Sequence, residues 1–266
     1  MQWADAVREV VQDLKPVESS IPLLQRMLGL VDLTSLNDND TESSIAEFCE
    51  KAQVPLGHVA AVCVYPKFVR LASAQFAGSP VKVATVVNFP EGSSSLEQVL
   101  LEIGAALSEG ANEIDVVFPY SRYLAGEQQY ASSFVEACKA ACGDDVKLKV
   151  ILETGALVDT AIIADAAYDA VVAGADFIKT STGKIAEGAT LEAAATMLLV
   201  IHHVNLQLKR NAGIKISGGV REIQQAAQYM QLADKIMGRE WVTADTFRIG
   251  ASKLVDEMYK AMKVVS

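Results

Sequence analysis

Short runs of apolar, often β-branched residues alternate along this chain with longer segments of helical period. Eight runs read as strands: Leu30–Leu33, Val59–Val64, Val81–Val87, Glu113–Phe118, Leu148–Glu153, Phe177–Thr180, Ile214–Ser217 and Lys235–Met237. Between them lie Ala-, Leu- and Glu-rich stretches of helical spacing, among them Ser95–Ser108, Phe134–Ala141, Val158–Ala173 and Leu191–Leu208. The strand runs are almost continuously apolar, as expected of strands buried on both faces in a parallel sheet. Small residues punctuate the helix ends, for example Gly110–Ala111 and Gly174–Ala175. Eight strands with intervening helices in 266 residues predict a single (β/α)8 barrel domain over 1–266, with an extra helix ahead of the first strand covering the barrel bottom. A doubly wound sheet is the alternative, but no GxGxxG follows the first strand.

Composition narrows the functional classes. About half the residues are apolar, ample for a large core. A net charge of −10 argues against a nucleic-acid binder, while leaving room for one locally positive pocket. No run of roughly 20 uncharged apolar residues predicts a membrane span. The first residues lack the pattern of a secretory signal. Cys49, Cys63, Cys138 and Cys142 form no CxxC, and the expected compartment is the reducing cytoplasm. His58, His202 and His203 lack metal-ligand spacing, so no metal is expected.

In a (β/α)8 barrel the reactive groups stand at the C-terminal ends of the strands. The polar residues at or near those ends are Asp32 with Thr34, Cys63, Asn88, Asp115, Glu153, Lys179 and Lys215. Lys179 and Lys215 each interrupt an apolar strand. A lysine buried there costs several kcal/mol unless paired or neutral. Two in neighbouring strands repel, which lowers at least one pKa and yields the neutral amine that imine formation requires. The alternative is a structural ion pair of each lysine with an acid such as Asp115 or Glu153. Asp115 faces opposite to Ile114 and Val116 by strand alternation, where it can relay protons or balance the lysine charge. Gly- and Ser-bearing loops follow at Thr180–Lys184, Ser217–Val220 and Gly250–Lys253, the type that lets backbone N–H groups approach a phosphate.

At these residues the sequence resembles the deoxyribose-phosphate aldolase family of class I aldolases. The stretches that carry the resemblance are Val31–Thr34 with Leu36–Asn37, Ala60–Pro66, Ala84–Pro90, Glu113–Tyr120, Leu152–Gly155, Gly174–Lys184 and Lys215–Arg221. The resemblance implies a cofactor-free Schiff-base enzyme that reversibly cleaves 2-deoxy-D-ribose 5-phosphate to acetaldehyde and D-glyceraldehyde 3-phosphate. It further implies Lys179 as the nucleophile, Lys215 as the second lysine that keeps Lys179 partly neutral, and Asp115 as the proton-transfer acid. Asp32 and Thr34 match the segment that contacts sugar hydroxyls. Gly183, Lys184, Gly218, Gly219, Gly250 and Ser252 match the phosphate-contacting loops. Cys63 matches a pocket-lining cysteine without a catalytic role.

The sequence departs from the family at two points. Lys253 stands where some relatives carry a second serine. Ala261–Ser266 holds no tyrosine where some members use one in proton transfer, and Tyr259 is not assigned that role. A Schiff-base aldolase or transaldolase for another phosphorylated sugar, and a silent sugar-phosphate-binding barrel, are the competing readings. A homodimer is the oligomeric expectation from symmetry base rates.

Overall fold

The structure is a computed structural model and describes residues 3–54 and 57–265. Eight parallel strands close into a barrel: β1 (Val31–Ser35), β2 (Ala61–Val64), β3 (Lys82–Val87), β4 (Glu113–Val117), β5 (Lys147–Ile151), β6 (Phe177–Lys179), β7 (Gly213–Ser217) and β8 (Phe247–Ala251). Each strand pairs in parallel with its sequence neighbours, and β1 closes the ring by pairing with β2 on one side and β8 on the other.

The helices are α1 (Trp3–Gln12), α2 (Ile21–Leu28), α3 (Glu42–Glu50), α4 (Val69–Gln75), α5 (Leu96–Ser108), α6 (Tyr120–Leu124), α7 (Gln128–Cys142), α8 (Thr154–Leu157), α9 (Thr160–Val172), α10 (Leu191–Leu208), α11 (Ile223–Met237) and α12 (Leu254–Val265). Local chemistry starts several of them. Ser95 Oγ accepts from Gln98 N at 3.3 Å ahead of α5, and Thr190 Oγ1 accepts from Ala193 N at 3.1 Å ahead of α10. A small hairpin, Gln53–Val54 with Gly57–His58, lies outside the barrel.

Seven of the eight expected strands are present within a residue or two at each end. The exception is the last. Lys235–Met237 is the final turn of α11, and β8 lies ten residues further on at Phe247–Ala251. The run Lys235–Met237 is three residues of an amphipathic helix whose buried face is Ala226, Ala227, Met230 and Ala233. The true strand is disguised because Arg248 interrupts it and Gly250 weakens its apolar reading.

The expected extra helix precedes β1 as α1, and α2 follows it. α1 packs along α9, α10 and α11, burying Val7. α10 is long and apolar enough to cross a membrane by length and composition, but its apolar face packs against α9, α11 and α1 and buries nine residues.

Strand alternation sorts the side chains into two populations. Val31, Leu33, Val62, Val83, Ile114, Val116, Val150, Ile178, Ile214, Ile216 and Ile249 enter one continuous apolar layer beneath the helices. The side chains between them point inward. There one apolar patch is formed by Leu36, Cys63, Ala84 and Val86, backed by Tyr65 and Phe89. The rest of the interior combines buried charged side chains with Val117, Ile151 and Phe177, which share the inward face of their strands.

Candidate active site

Four strands deliver the basic groups: Lys149 from β5, Lys179 from β6, Lys215 from β7 and Arg248 from β8. Two deliver acids: Asp32 from β1, and Glu113 with Asp115 from β4. All seven residues are at most 3% exposed. Parallel register sets them side by side, with Asp115 opposite Lys149, Lys179 opposite Lys215, and Lys215 opposite Arg248.

Asp115 is the hub. Its Oδ2 accepts from both Lys179 Nζ and Lys215 Nζ at 2.8 Å, and its Oδ1 accepts from Lys149 Nζ at 2.8 Å. Lys215 Nζ also lies 2.6 Å from Asp32 Oδ2, an ion pair without hydrogen-bond alignment. Lys149 Nζ lies 2.6 Å from Glu113 Oε2. Arg248 spans Asp32 at 2.6 Å and Glu113 at 2.8 Å with its two guanidinium nitrogens.

The two expected lysines respond differently to this environment. Burial lowers the Lys179 pKa, Asp115 pulls it back up, and the positive charge of Lys215 lowers it again, so the amine ends below the ordinary lysine value. Burial acts on Lys215 in the same direction, but Asp115 and Asp32 together overcome it and hold Lys215 above that value. Lys149 is likewise raised, because Asp115, Glu113 and Asp32 outweigh its burial. Burial alone would raise the Asp115 carboxyl. Lys149, Lys179 and Lys215 reverse that and hold it well below the usual carboxylate range. One lysine of the three therefore has the depressed pKa that a nucleophilic amine needs.

Above the charged groups a cavity of about 220 Å³ opens at the C-terminal ends of the strands. It is lined by Thr34, Lys179, the loop Thr182–Lys184, the loop Ser217–Arg221 and the stretch Gly250–Ser252. Lys179 is the one member of the charged group that reaches it. Gly218 and Gly219 hold φ of +91° and +85°, conformations that favour glycine. A Cβ on Gly218 would also fall 2.9 Å from Gly188 Cα. Lys184 Nζ donates to Leu36 O at 2.7 Å and ties the loop after β6 to the loop after β1.

Glu153, buried and in the left-handed region, accepts from the backbone N–H and hydroxyl of Thr182 and anchors the same loop. Burial, offset in part by those bonds, raises its carboxyl pKa. A larger hollow of about 540 Å³ lies on the outside near α4 and α5, lined by residues such as Lys67, Arg70 and Glu109. It touches none of the interior charged groups, so volume alone does not pick out the site.

Of the residues expected from sequence, Thr34, Lys179, Gly183, Lys184, Gly218, Gly219, Gly250 and Ser252 line one cavity, and Asp115 and Lys215 lie directly beneath through their bonds. Asp32 is fully buried below the floor, committed to Lys215 and Arg248, and is not among the lining side chains. Lys253 is exposed and outside the lining, while Tyr259 bonds to Lys51 O on the outer surface. Asn88 holds the backbone of Val117 and Ser94 together, a structural task.

Three members of the interior network escaped sequence reasoning. Lys149 interrupts Leu148–Val150 just as Lys179 and Lys215 interrupt their strands, so the same signal was available. Glu113 shares the inward face of β4 with Asp115 by the period of two. Arg248 was hidden by the misplaced last strand. Arg221, a second cation at the mouth, carried no separate signal.

Known proteins agree with this architecture. A structure from Coccidioides immitis, provisionally named a deoxyribose-phosphate aldolase, superposes with a TM-score of 0.78 at 29% identity, covering 98% of this chain and 97% of that one. A protein from Toxoplasma gondii ME49 with the same provisional name gives 0.82 at 28% identity, over 92% of this chain and 96% of that one. The deoxyribose phosphate aldolase of Aeropyrum pernix, described as a tetramer, shares the fold at 24% identity with a TM-score of 0.69, over 99% of both chains. The sequence profile of the DeoC/LacD family aldolases matches residues 26–242. With that match over most of its length, on a closed (β/α)8 barrel, the chain belongs to the DeoC/LacD family of aldolases.

Proposed function

We propose that this aldolase works through a Schiff base on Lys179 and reversibly cleaves 2-deoxy-D-ribose 5-phosphate to acetaldehyde and D-glyceraldehyde 3-phosphate. The observation that carries the reading is that Lys179, alone among the interior charged groups, is both depressed in pKa and open to a cavity rimmed by glycine-bearing loops. In the cleavage direction the Lys179 amine adds to the sugar aldehyde, and loss of water gives an iminium. The bond between C2 and C3 then breaks, its electrons move into the iminium to give an enamine, and the C3 hydroxyl loses its proton as the second aldehyde forms. Protonation of the enamine carbon and addition of water release acetaldehyde and restore the amine.

In this reading Asp115, in contact with all three lysines, takes up and returns protons in these steps, directly or through a water. Lys215 keeps a positive charge beside the amine. Thr34 offers a hydroxyl to the sugar. The backbones of Gly183, Gly218, Gly219 and Gly250, with Ser252 and the cations Lys184 and Arg221, suit a phosphate at the far end. The iminium is itself the electron sink, so no organic cofactor enters the scheme.

Four buried, unpaired cysteines among the described residues support the proposal of a reducing, cytoplasmic setting. A symmetric oligomer, a dimer by base rate, completes the reading and is checked by sedimentation.

The test is borohydride trapping with acetaldehyde followed by peptide mass mapping, on the native chain and on Lys179→Ala. A two-carbon adduct on the Lys179 peptide, absent from the variant, is expected. Trapping at another lysine, or none from protein that cleaves the sugar phosphate, overturns the assignment.

A further inference from the structure

The ion pairs of the barrel interior close on themselves. Starting at Asp115, the contacts run to Lys215 at 2.8 Å, Asp32 at 2.6 Å, Arg248 at 2.6 Å, Glu113 at 2.8 Å and Lys149 at 2.6 Å, then back to Asp115 at 2.8 Å. Acid and base alternate around this ring, three of each, so it is neutral when every member is ionised. Lys179 stands outside the ring. Its one ion pair among the described residues is to Asp115 Oδ2, an oxygen that Lys215 already occupies.

We propose that this closed ring sets the protonation of Lys179, and that Glu113 and Arg248 are positioning residues that act on the amine through the ring's charge balance. The proposal rests on the reading of Lys179 as the nucleophile. Counting charges gives its logic. Three carboxylates face four basic groups, so full ionisation would leave one uncompensated positive charge in a buried site, which is costly. The group that can shed a proton most cheaply is the one without a carboxylate of its own, and that is Lys179. Glu113 and Arg248 do not line the cavity and touch no bound sugar in the proposed scheme. Their part is to complete the ring. Arg248 compensates Asp32, freeing Asp32 to hold Lys215 charged. Glu113 compensates Lys149, so that Lys149 does not compete with Lys179 for loss of the proton. Arg248 is itself seated over the Phe177 ring at 5.6 Å, which closes the network from below.

The groups acting on Lys179 come from several directions: Asp115 on β4, Lys215 on β7, Cys63 on β2, and Glu153 after β5. Lys149, Asp32, Arg248 and Glu113 act from the second circle. None of these except the ring members changes in the variants below, so a shift reports on the ring.

The test is the pH titration of the Lys179 amine by trace acetic anhydride labelling and peptide mass mapping, which needs no substrate. Arg248→Gln leaves the ring one negative charge in excess and is expected to move the Lys179 midpoint up by about one pH unit. Glu113→Gln leaves one positive charge in excess and is expected to move it down by a similar amount. The double variant Glu113→Gln/Arg248→Gln, neutral again, is expected to return to the native midpoint.

A purely structural pair predicts no opposite displacement. Single variants that fold, by circular dichroism, and shift in the same direction or not at all overturn the proposal, as does a native Lys179 that stays unlabelled throughout. Should one single variant not fold, the other decides with the double variant: a folded single variant without its expected shift, or a double variant away from the native midpoint, overturns the ring. Opposite shifts in a protein that does not cleave 2-deoxy-D-ribose 5-phosphate would leave the ring standing and reject only the substrate.

Discussion

Along β7, Ile214 and Ile216 point outward into the layer beneath the helices, while Lys215 between them points into the barrel and meets two carboxylates. The same division holds around the barrel, so the outside and the inside of one sheet are two different kinds of core. The outer layer is stabilised by area. Each fully buried Ile, Leu or Val side chain there contributes about 1.5–3 kcal/mol, and neighbours of similar size can replace one another. The interior offers less such area, from the patch of Leu36, Cys63, Ala84 and Val86 together with Val117, Ile151 and Phe177. It holds seven charged side chains at most 3% exposed, whose desolvation cost is offset only while the pairing is complete. The outer face of the strands holds this fold together, and the inner face carries the charged groups of the candidate site. The outer face tolerates small losses gradually; the inner face depends on each partner.

Four measurements test whether the two faces differ in this way. The largest effect belongs to Lys179→Met, which removes the amine while leaving the ring intact. Aldol cleavage, followed by coupled assay of the aldehyde product, should fall by more than about a thousandfold, with unfolding in urea little changed. A comparable loss of stability would mean that Lys179 belongs to the scaffold. Next is Arg248→Met, which strands Asp32 and Glu113 without their shared partner. It should cost about 3–5 kcal/mol by denaturant unfolding. A cost below about 1 kcal/mol would show that interior and outer layer respond alike.

Acid reaches the same network without a mutation. Asp32 and Asp115 both titrate lower in the folded chain than their ordinary value of 3.8, because the surrounding cations outweigh their burial. Their contribution to stability is therefore fully present above that value and is lost as pH falls through the folded values. Urea midpoints from pH 6 downward should stay level until about pH 5 and then decline, and Asp115→Asn should flatten the decline. An unchanged slope in the variant would sink the assignment to the interior. The smallest effect is expected outside: Ile214→Val should cost about 1 kcal/mol and leave turnover within about twofold. A large loss of activity from so small a change would mean the two faces are coupled more tightly than their packing suggests.

Much of the site was legible in the sequence because its logic is local. Lys179 and Lys215 betrayed themselves by interrupting apolar strands, and the period of two placed Asp115 on the inner face. Lys149 gave the same local signal. Arg248 did not, because recognising it requires knowing that Phe247–Ala251 is the strand that closes the barrel against β1. A three-residue apolar run at the end of α11 competes for that assignment, and only ring closure rejects it.

The sequence by itself determined the alternation of strands and helices, the parallel barrel, two of the three interior lysines and the glycine-bearing loops, since each follows from spacing along one segment. The resemblance already singled out Lys179, but the physical reason that it and not Lys215 is depressed lies in the tertiary structure. Both lie in strands that read almost alike, and the difference arises from Asp32, more than 180 residues away in sequence, which β1 brings to 2.6 Å from Lys215 and not to Lys179. A pKa depends on charges close in space, and distance in space is what a linear sequence leaves open until the barrel closes.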